Sequence, residues 1–445
     1  MPDPAPLIGV LYVRHSMFLF FREGLPLGPI MTRAPTCSAA ATELLEESVL
    51  ENPYPFFARL RHEHPLSRVG DTGVHLVATW EGILEVLDRE ADFSANLTGV
   101  LIRDEAGEPT MFEFPGNFGS QVIATADEPE HAVHRRVVRP RLLERHIAGL
   151  EPRIRSWVRR RMAPWVDAGG GDFVPLAEAI PAQVVGHLLG LPDGDVEKHR
   201  LWAMMGGEIL AGDVSVEQMI SLSTETAEMA TYLSQHLEQA LAASPAEEKS
   251  LLDVLADAVD GGEISKEDAV GIAIVMFGAG GESTSSLLGS ALRLLAEDPA
   301  LAERLREAPD LIPRFVEECV RLEPPFKFHY RVVRQDCEFM GYDLVCGDRL
   351  MLMWASANRD PAVFDAPDEM RFDREHPKHH MSFGRGAHFC VGVHLARMEA
   401  RVVIEEVLEQ TRDIALIPET PAVHARSIFV RRLSELPLRV VAVDS

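Results

Sequence analysis

From about residue 43 onward, apolar positions recur mostly with the helical period of three to four residues, giving way in a few short stretches to the two-residue period of strands. "ENPYPFFARLRHEHP" (51–65) predicts a turn entering an amphipathic helix, and "GVHLVATW" (73–80) a strand that hands over to the helix of "WEGILEVLDR". Residues 94–126 break the pattern: Gly, Asn, Thr and Pro sit among isolated apolar residues, which predicts a long irregular segment, and such loops are usually functional. Helical periodicity resumes over 128–165 and 178–245, interrupted at "LPDGD" and "GDVS". Two strand-like stretches in "CEFMGYDLVCGDRLMLMWAS" flank a Gly-Tyr-Asp turn, and "SELPLRVVAV" predicts a last strand. With no repeat, linker or low-complexity tract, the pattern predicts one large, mainly α domain over 43–445 with a minor antiparallel β component.

The most informative helix is "SKEDAVGIAIVMFGAGGESTSSLLGSALRLLAEDP" (265–299). Ser265 and Asp268 have capping-box spacing, and the uncharged run 269–281 predicts burial on all sides. "GGEST" then places an acid and two hydroxyl groups inside that core helix. Two adjacent glycines weaken a helix by about 1 kcal/mol each, which predicts a local opening. A buried Glu282 costs several kcal/mol unless it is paired or has a chemical task, and both readings stay open on these residues alone.

Composition narrows the function. A net charge of −26, from 69 acidic against 43 basic residues, excludes a general nucleic-acid or anionic-membrane binder. The apolar fraction of 46% and charged fraction of 25% suit a soluble globular protein. Five widely spaced cysteines without a CxxC pair predict a reduced, cytoplasmic chain. Residues 1–42 predict a flexible extension. Its apolar run "LIGVLYVRHSMFLFF" is broken by Arg14 and His15, is too short to span a membrane and lacks the flanks of a secretory signal. Met17 and Met31 are alternative starts within it.

One cysteine stands apart. Cys390 lies in "SFGRGAHFCVG" (382–392), a glycine-rich turn running straight into a helical pattern. A buried structural cysteine is the bland reading. Zinc is a second, since His379, His380, His388 and His394 crowd around it, although paired ligand knuckles are missing. The third is a haem thiolate. The helix start would lower the thiol pKa, the glycines would let the backbone approach a flat macrocycle, and Phe383 would cover the sulphur.

"FGRGAHFCVG" resembles the haem-binding loop of the cytochrome P450 family, and the resemblance extends from about residue 48 to the C-terminus. It implies a P450 fold with a long central helix over haem b, Cys390 as axial iron ligand, and Phe383, Gly384 and Gly392 shaping the loop. His388 would donate to a haem propionate. "DEPEHAVHRRVV" and "YRVVRQDCEFMG" resemble the segments that carry further propionate ligands, here His131, Arg135 and Arg331. "EECVR" resembles the Glu-x-x-Arg helix, so Glu318 and Arg321 would form a buried network whose third member is expected to be Arg371. "AGGEST" resembles the element over the distal haem face, implying catalytic roles for Glu282, Ser283 and Thr284; Ser283 stands where threonine is usual.

The implied activity is insertion of one oxygen atom of O2 into a hydrophobic small organic substrate. Met276, Phe277, Ala279, Phe326, Phe328 and Phe429 are the expected pocket residues, with Lys327 and His329 facing either the substrate or away from it. No nucleotide-binding fingerprint is present, so electrons would come from a separate ferredoxin and its reductase. Five arginines in "HRRVVRPRLLERH", together with Arg385, Arg397 and Arg401, form a candidate basic docking face on the cysteine side of a protein expected to act as a monomer. A non-oxygenating haem-thiolate carrier or sensor is the alternative, and the buried acid of "GGEST" argues against it.

Overall fold

The computed structural model describes residues 39–114, 120–243 and 248–443. The extension expected over 1–42 lies outside the described residues as far as residue 38, and a 3-10 turn follows at Ala39–Leu45.

The central helix, Lys266–Glu297, begins on the expected capping box: the Asp268 amide donates to Ser265 Oγ and the Ser265 amide to the Asp268 carboxylate. It runs without interruption through "GGEST", so the expected local opening is absent. The glycines serve close packing instead. A Cβ on Gly280 would lie 2.8 Å from Val185, and one on Gly281 would clash with the Cβ of Ala203, so the helices Val174–Leu189 and Val196–Ile209 cross tightly there.

Two large apolar cores flank this helix. One joins Phe277 to Trp202, Phe328 and Phe429. The other joins Leu288 and Leu292 to Ile154 and Trp157, to Phe315 of helix Ile312–Leu322, and to Val403 and Val407 of helix Val393–Gln410. Met276, on the central helix, and Val391, beside Cys390, border both, so the helix and the cysteine loop each reach the boundary between the two cores.

The largest sheet has five strands, in the order Leu66–Arg68, Val74–Val77, Arg349–Leu352, His329–Val333, Phe93–Ser94. All its pairs are antiparallel except Arg349–Leu352 beside Val74–Val77. Its register sets Arg331 opposite Leu350 and thereby fixes where that arginine enters the interior. The segment 94–126 is less irregular than its composition suggests. Gly99–Arg103 pairs antiparallel with Pro109–Glu113, and Val100, Leu101 and Ile102 are buried. The hairpin at 337–344 turns at Met340 and Gly341, both at positive φ, rather than at Gly-Tyr-Asp. Among the described residues no helix is long and apolar enough to cross a membrane.

Candidate active site

Cys390 is held in a closed loop. Its amide donates to the Phe383 carbonyl (2.8 Å), the Gly384 amide to Met381 (2.8 Å) and the Phe389 amide to Gly386 (3.1 Å). Gly384 and Gly386 have φ of +67° and +69°, a region open to glycine at little cost. Gly392 ends the loop as N-cap of helix Val393–Gln410, and its amide donates to the Cys390 sulphur. That bond, with Arg135 and Arg397 nearby, favours the thiolate as the sequence suggests, yet burial outweighs them and pushes the thiol pKa up. A metal bound at sulphur is what would secure deprotonation here.

Beside the loop lies a cavity of about 260 Å³ lined by Arg331, Arg334, Arg385 and His388, by the acids Glu90, Asp127 and Glu128, and by apolar residues including Val86, Leu87 and Phe93. Arg331 is buried, spends one hydrogen bond on the Tyr330 carbonyl (2.7 Å), and is lowered to about 10 by desolvation. His388 stacks on His131 with ring centroids 4.0 Å apart. His131 Nε2 and His388 Nδ1 are buried without a partner, while Glu128 accepts from His131 Nδ1 (2.8 Å). Burial and the neighbouring cations hold His388 down to about 3, so its ring is neutral. Arg135 donates to the Phe389 carbonyl (2.8 Å), tying its helix Glu130–Val138 to the loop. Orphaned donors and a buried guanidinium around one cavity fit the carboxylates of a haem. Among the described residues no group of three or more His, Cys, Asp or Glu side chains is arranged to hold a bare metal ion, so the zinc reading has no ligand set.

On the central helix, Met276, Ala279 and Ser283 share a face that packing leaves partly open. Ser283 Oγ donates to the Ala279 carbonyl (2.5 Å). Its neighbours point elsewhere, because successive helical residues are turned by about 100°. Thr284 is buried on one flank. Glu282 is buried on the other, where the Gly207 amide donates to it and Arg432 Nε lies 3.4 Å away. Desolvation overrides both and raises Glu282 to about 8. Arg432 also reaches Glu178 (3.3 Å), Glu178 pairs with Arg200 (2.6 Å), and Arg200 with exposed Glu197 (3.0 Å). These charged groups lead from the central helix to the surface. Nothing in the local sequence marks Arg432, Glu178 or Arg200, which come from three distant segments.

Three expected pocket and network positions are corrected. Phe277 is fully buried against His199 (5.3 Å) and Trp202 (6.4 Å), one helical step away from the open face. Phe328 is also fully buried and meets Phe429 edge-on (5.4 Å), so it supports that ring, which stacks on partly exposed Phe326 (4.7 Å). Lys327 and His329 are occupied internally: Lys327 Nζ donates to the Ser427 carbonyl (2.5 Å), and His329 Nδ1 accepts from Trp354 (2.7 Å).

The third correction concerns the buried ion pair. Arg321 donates to both Glu318 oxygens (2.7 and 2.8 Å), but the second guanidinium on Glu318 belongs to Arg374 (3.1 Å). Arg371 contributes only its backbone amide (2.9 Å), its side chain reaching out to Asp365 and Asp373. A spacing of three residues in "RFDR" decides which arginine turns inward.

The candidate docking face is also reduced. Arg397 is committed to Glu317, Arg401 to Glu151 and Glu405, and Arg136 to Glu263. Arg139 and Arg145 stay exposed, as does Phe389 on the cysteine loop.

Comparison with known proteins agrees with this geometry. Residues 223–412 match the family model described as Cytochrome P450. Cytochrome P450 144 of Mycobacterium tuberculosis is 38% identical over 403 residues, 88% of this chain and 90% of the relative. Erythromycin C-12 hydroxylase of Saccharopolyspora erythraea is 35% identical over 345 residues, 76% of this chain and 81% of the relative. The solved structure of CYP109E1 from Bacillus megaterium, in complex with testosterone, superposes with a TM-score of 0.78 at 27% identity, covering 88% of this chain and 98% of that one. With its cysteine loop, the buried arginine in the cavity beside it and these relatives in agreement, the chain belongs to the cytochrome P450 family, as a monooxygenase with haem b as its cofactor.

Proposed function

We propose that this chain hydroxylates or epoxidises a hydrophobic small organic substrate in the cytoplasm, using electrons from a separate ferredoxin and its reductase. The reading is carried by Cys390 and, beside its loop, the cavity lined by Arg331, Arg385 and His388, where His388 Nδ1 is buried without a partner. Haem b, when bound, supplies the activation of O2 and the insertion of one oxygen atom into a C–H or C=C bond.

The chain's own residues bind, orient and move protons. Cys390 holds the iron through sulphur, with the Gly392 amide donating to it. Arg331, Arg135 and neutral His388 receive the propionates. His131, whose Nδ1 is hydrogen-bonded to Glu128, would turn its unpartnered Nε2 to the same propionates. Glu282 carries its proton at neutral pH, raised as it is to about 8, and the next residue, Ser283, presents a hydroxyl on the open face. Because the two side chains leave the helix on different flanks, water relays the proton of Glu282 to the Ser283 hydroxyl, and the fixed ion pairs of Arg432, Glu178 and Arg200 keep the way from Glu282 to the surface polar. The expected threonine's methyl is missing, and the bond from Ser283 to Ala279 takes over the task of orienting the hydroxyl.

Met276, Ala279, Phe326 and Phe429 supply apolar contact for the substrate, and with Lys327 and His329 engaged internally, shape selects it rather than a charge. Exposed Arg139 and Arg145, together with the exposed Phe389 ring on the cysteine loop, offer the ferredoxin cationic and aromatic contacts.

The deciding measurement is the ferrous–carbon monoxide spectrum. The wild type gives the red-shifted Soret band of a thiolate-ligated haem, and Cys390→Ala loses it. Retention of that band in the variant overturns the assignment. Turnover with NAD(P)H alone, without ferredoxin and reductase, would overturn the electron route.

A further inference from the structure

Glu317, directly before the buried Glu318, takes no part in that ion network. Its carboxylate turns instead to the cysteine loop and the helix that follows it. Arg397 donates to both of its oxygens (2.6 and 2.9 Å). His380 supplies a third bond: the Ser382 amide donates to His380 Nδ1 (3.3 Å), so Nε2 carries the proton and donates to Glu317 (3.0 Å). Both partners rest on Phe383, the guanidinium 4.9 Å from its ring centroid and the imidazole 5.7 Å. Phe383 in turn accepts the Cys390 amide at its carbonyl (2.8 Å). His380 and Glu317 are almost sealed from solvent, and Arg397 is 21% exposed. One carboxylate therefore gathers two side chains against the ring whose backbone holds the cysteine.

The cation matters as much as the contacts. Arg397 stands close enough to favour the Cys390 thiolate, and bidentate pairing with Glu317 cancels most of its charge. A cation beside the sulphur stabilises the reduced iron less when its own counter-ion is fixed next to it.

We propose that Glu317 is a positioning residue for the iron ligand: by seating His380 and Arg397 against Phe383 and neutralising Arg397, it fixes the loop around Cys390 and keeps the reduction potential low. This rests on the reading of Cys390 as the ligand. It also changes the role of Arg397, from a contact for the electron partner to a part of the proximal support.

The test uses holoenzyme and a spectroelectrochemical titration of the ferric–ferrous couple, with the ferrous–carbon monoxide band as control. Glu317→Gln keeps the shape and removes the counter-charge, so the ferrous fraction at fixed potential rises about tenfold, a shift of about 59 mV for one electron. Arg397→Met removes the cation and shifts the couple the opposite way, Arg397→Lys stays near wild type, and the double variant Glu317→Gln/Arg397→Met returns toward it. Opposed signs distinguish charge compensation from mere loosening, which moves both single variants alike.

Single variants that shift the couple in the same direction, or not at all, with the thiolate band intact, overturn the proposal. So does an Arg397→Met enzyme that keeps its potential and loses only ferredoxin-driven reduction. If Glu317→Gln does not fold, a downward shift in Arg397→Met with Arg397→Lys near wild type still carries the charge argument, and equal shifts in those two variants overturn it. A wild type without the thiolate band overturns the ligand assignment itself, before any variant is compared.

Discussion

Glu318 and Glu282 are both sealed inside helices, at 0% and 1% exposure, yet they end in opposite protonation states. Glu318 accepts from Arg321 twice, from Arg374 and from the Arg371 amide, and these partners hold its carboxyl below the usual range despite burial. Glu282 has one amide and one arginine at 3.4 Å, its Oε1 has no hydrogen-bond partner, and burial wins, raising it to about 8. The difference is the number of donors that converge on the carboxylate. A fully paired carboxylate is a fixed strut, whereas a half-paired one retains a proton that it can release.

The strut should break hardest. Glu318→Gln leaves Arg321 buried with its counter-charge gone, and removing one member of such a pair costs about 3–5 kcal/mol, a large share of a stability of roughly 5–15 kcal/mol. The variant is expected to yield little soluble, haem-loaded protein, checked by urea unfolding and haem content. Near wild-type stability would show that Arg374 and the surrounding carbonyls, not Glu318, hold the segment.

The half-paired acid should break function and spare the fold. Glu282→Gln keeps the shape and loses the proton, so product formation per NAD(P)H is expected to fall roughly 10²-fold, the usual scale for a lost proton-transfer group, with the carbon monoxide spectrum unchanged. Its pH dependence has a definite sign. A carboxyl raised from 4.5 to about 8 contributes stability that is present below about pH 4.5 and lost as pH climbs through 8. At about 1.4 kcal/mol per unit this is on the order of 5 kcal/mol as an upper bound. Glu399, also buried and raised to about 8, drives the same trend, so the wild type must be compared with Glu282→Gln. The stability difference between them should move in favour of the variant from pH 5 to pH 8. A pH-independent difference would place Glu282 as a carboxylate.

The comparison also explains what was legible in the sequence. Cys390, Gly384 and the Glu318–Arg321 pair are encoded locally, by a turn that needs positive φ and by a spacing of three on one helix, and both are found as expected. The helix over 265–299 was legible through its cap and its uncharged run, but the purpose of its glycines was not. Close packing against Val185 and Ala203 depends on helices 80 to 100 residues away. Phe277 shows the same limit: an apolar residue beside pocket residues looks like another, and only the helical rotation and its neighbours His199 and Trp202 place it in the core. The partners of Glu282 come from residues 178, 200 and 432, and no spacing announces them.

The pair Arg371 and Arg374 gives the gentlest test, because both lie in "RFDR" and only one reaches the strut. Arg374 is 10% exposed and donates to Glu318 and to the carbonyls of Asp365, Ala366 and Glu369. Arg374→Met removes one of two guanidinium groups from a buried carboxylate and leaves the Asp365 carbonyl without that donor, while Ala366 and Glu369 keep donors of their own, which should cost about 2 kcal/mol and lower the urea midpoint clearly. Arg371→Ala removes exposed pairs with Asp365 and Asp373 and keeps the backbone amide that bonds Glu318. Its urea midpoint should be indistinguishable from wild type, since exposed ion pairs contribute little and the one bond that matters belongs to the main chain. Equal losses in the two variants would mean that the strut extends to the surface acids. A loss only at Arg374 would show that it ends at the groups converging on Glu318.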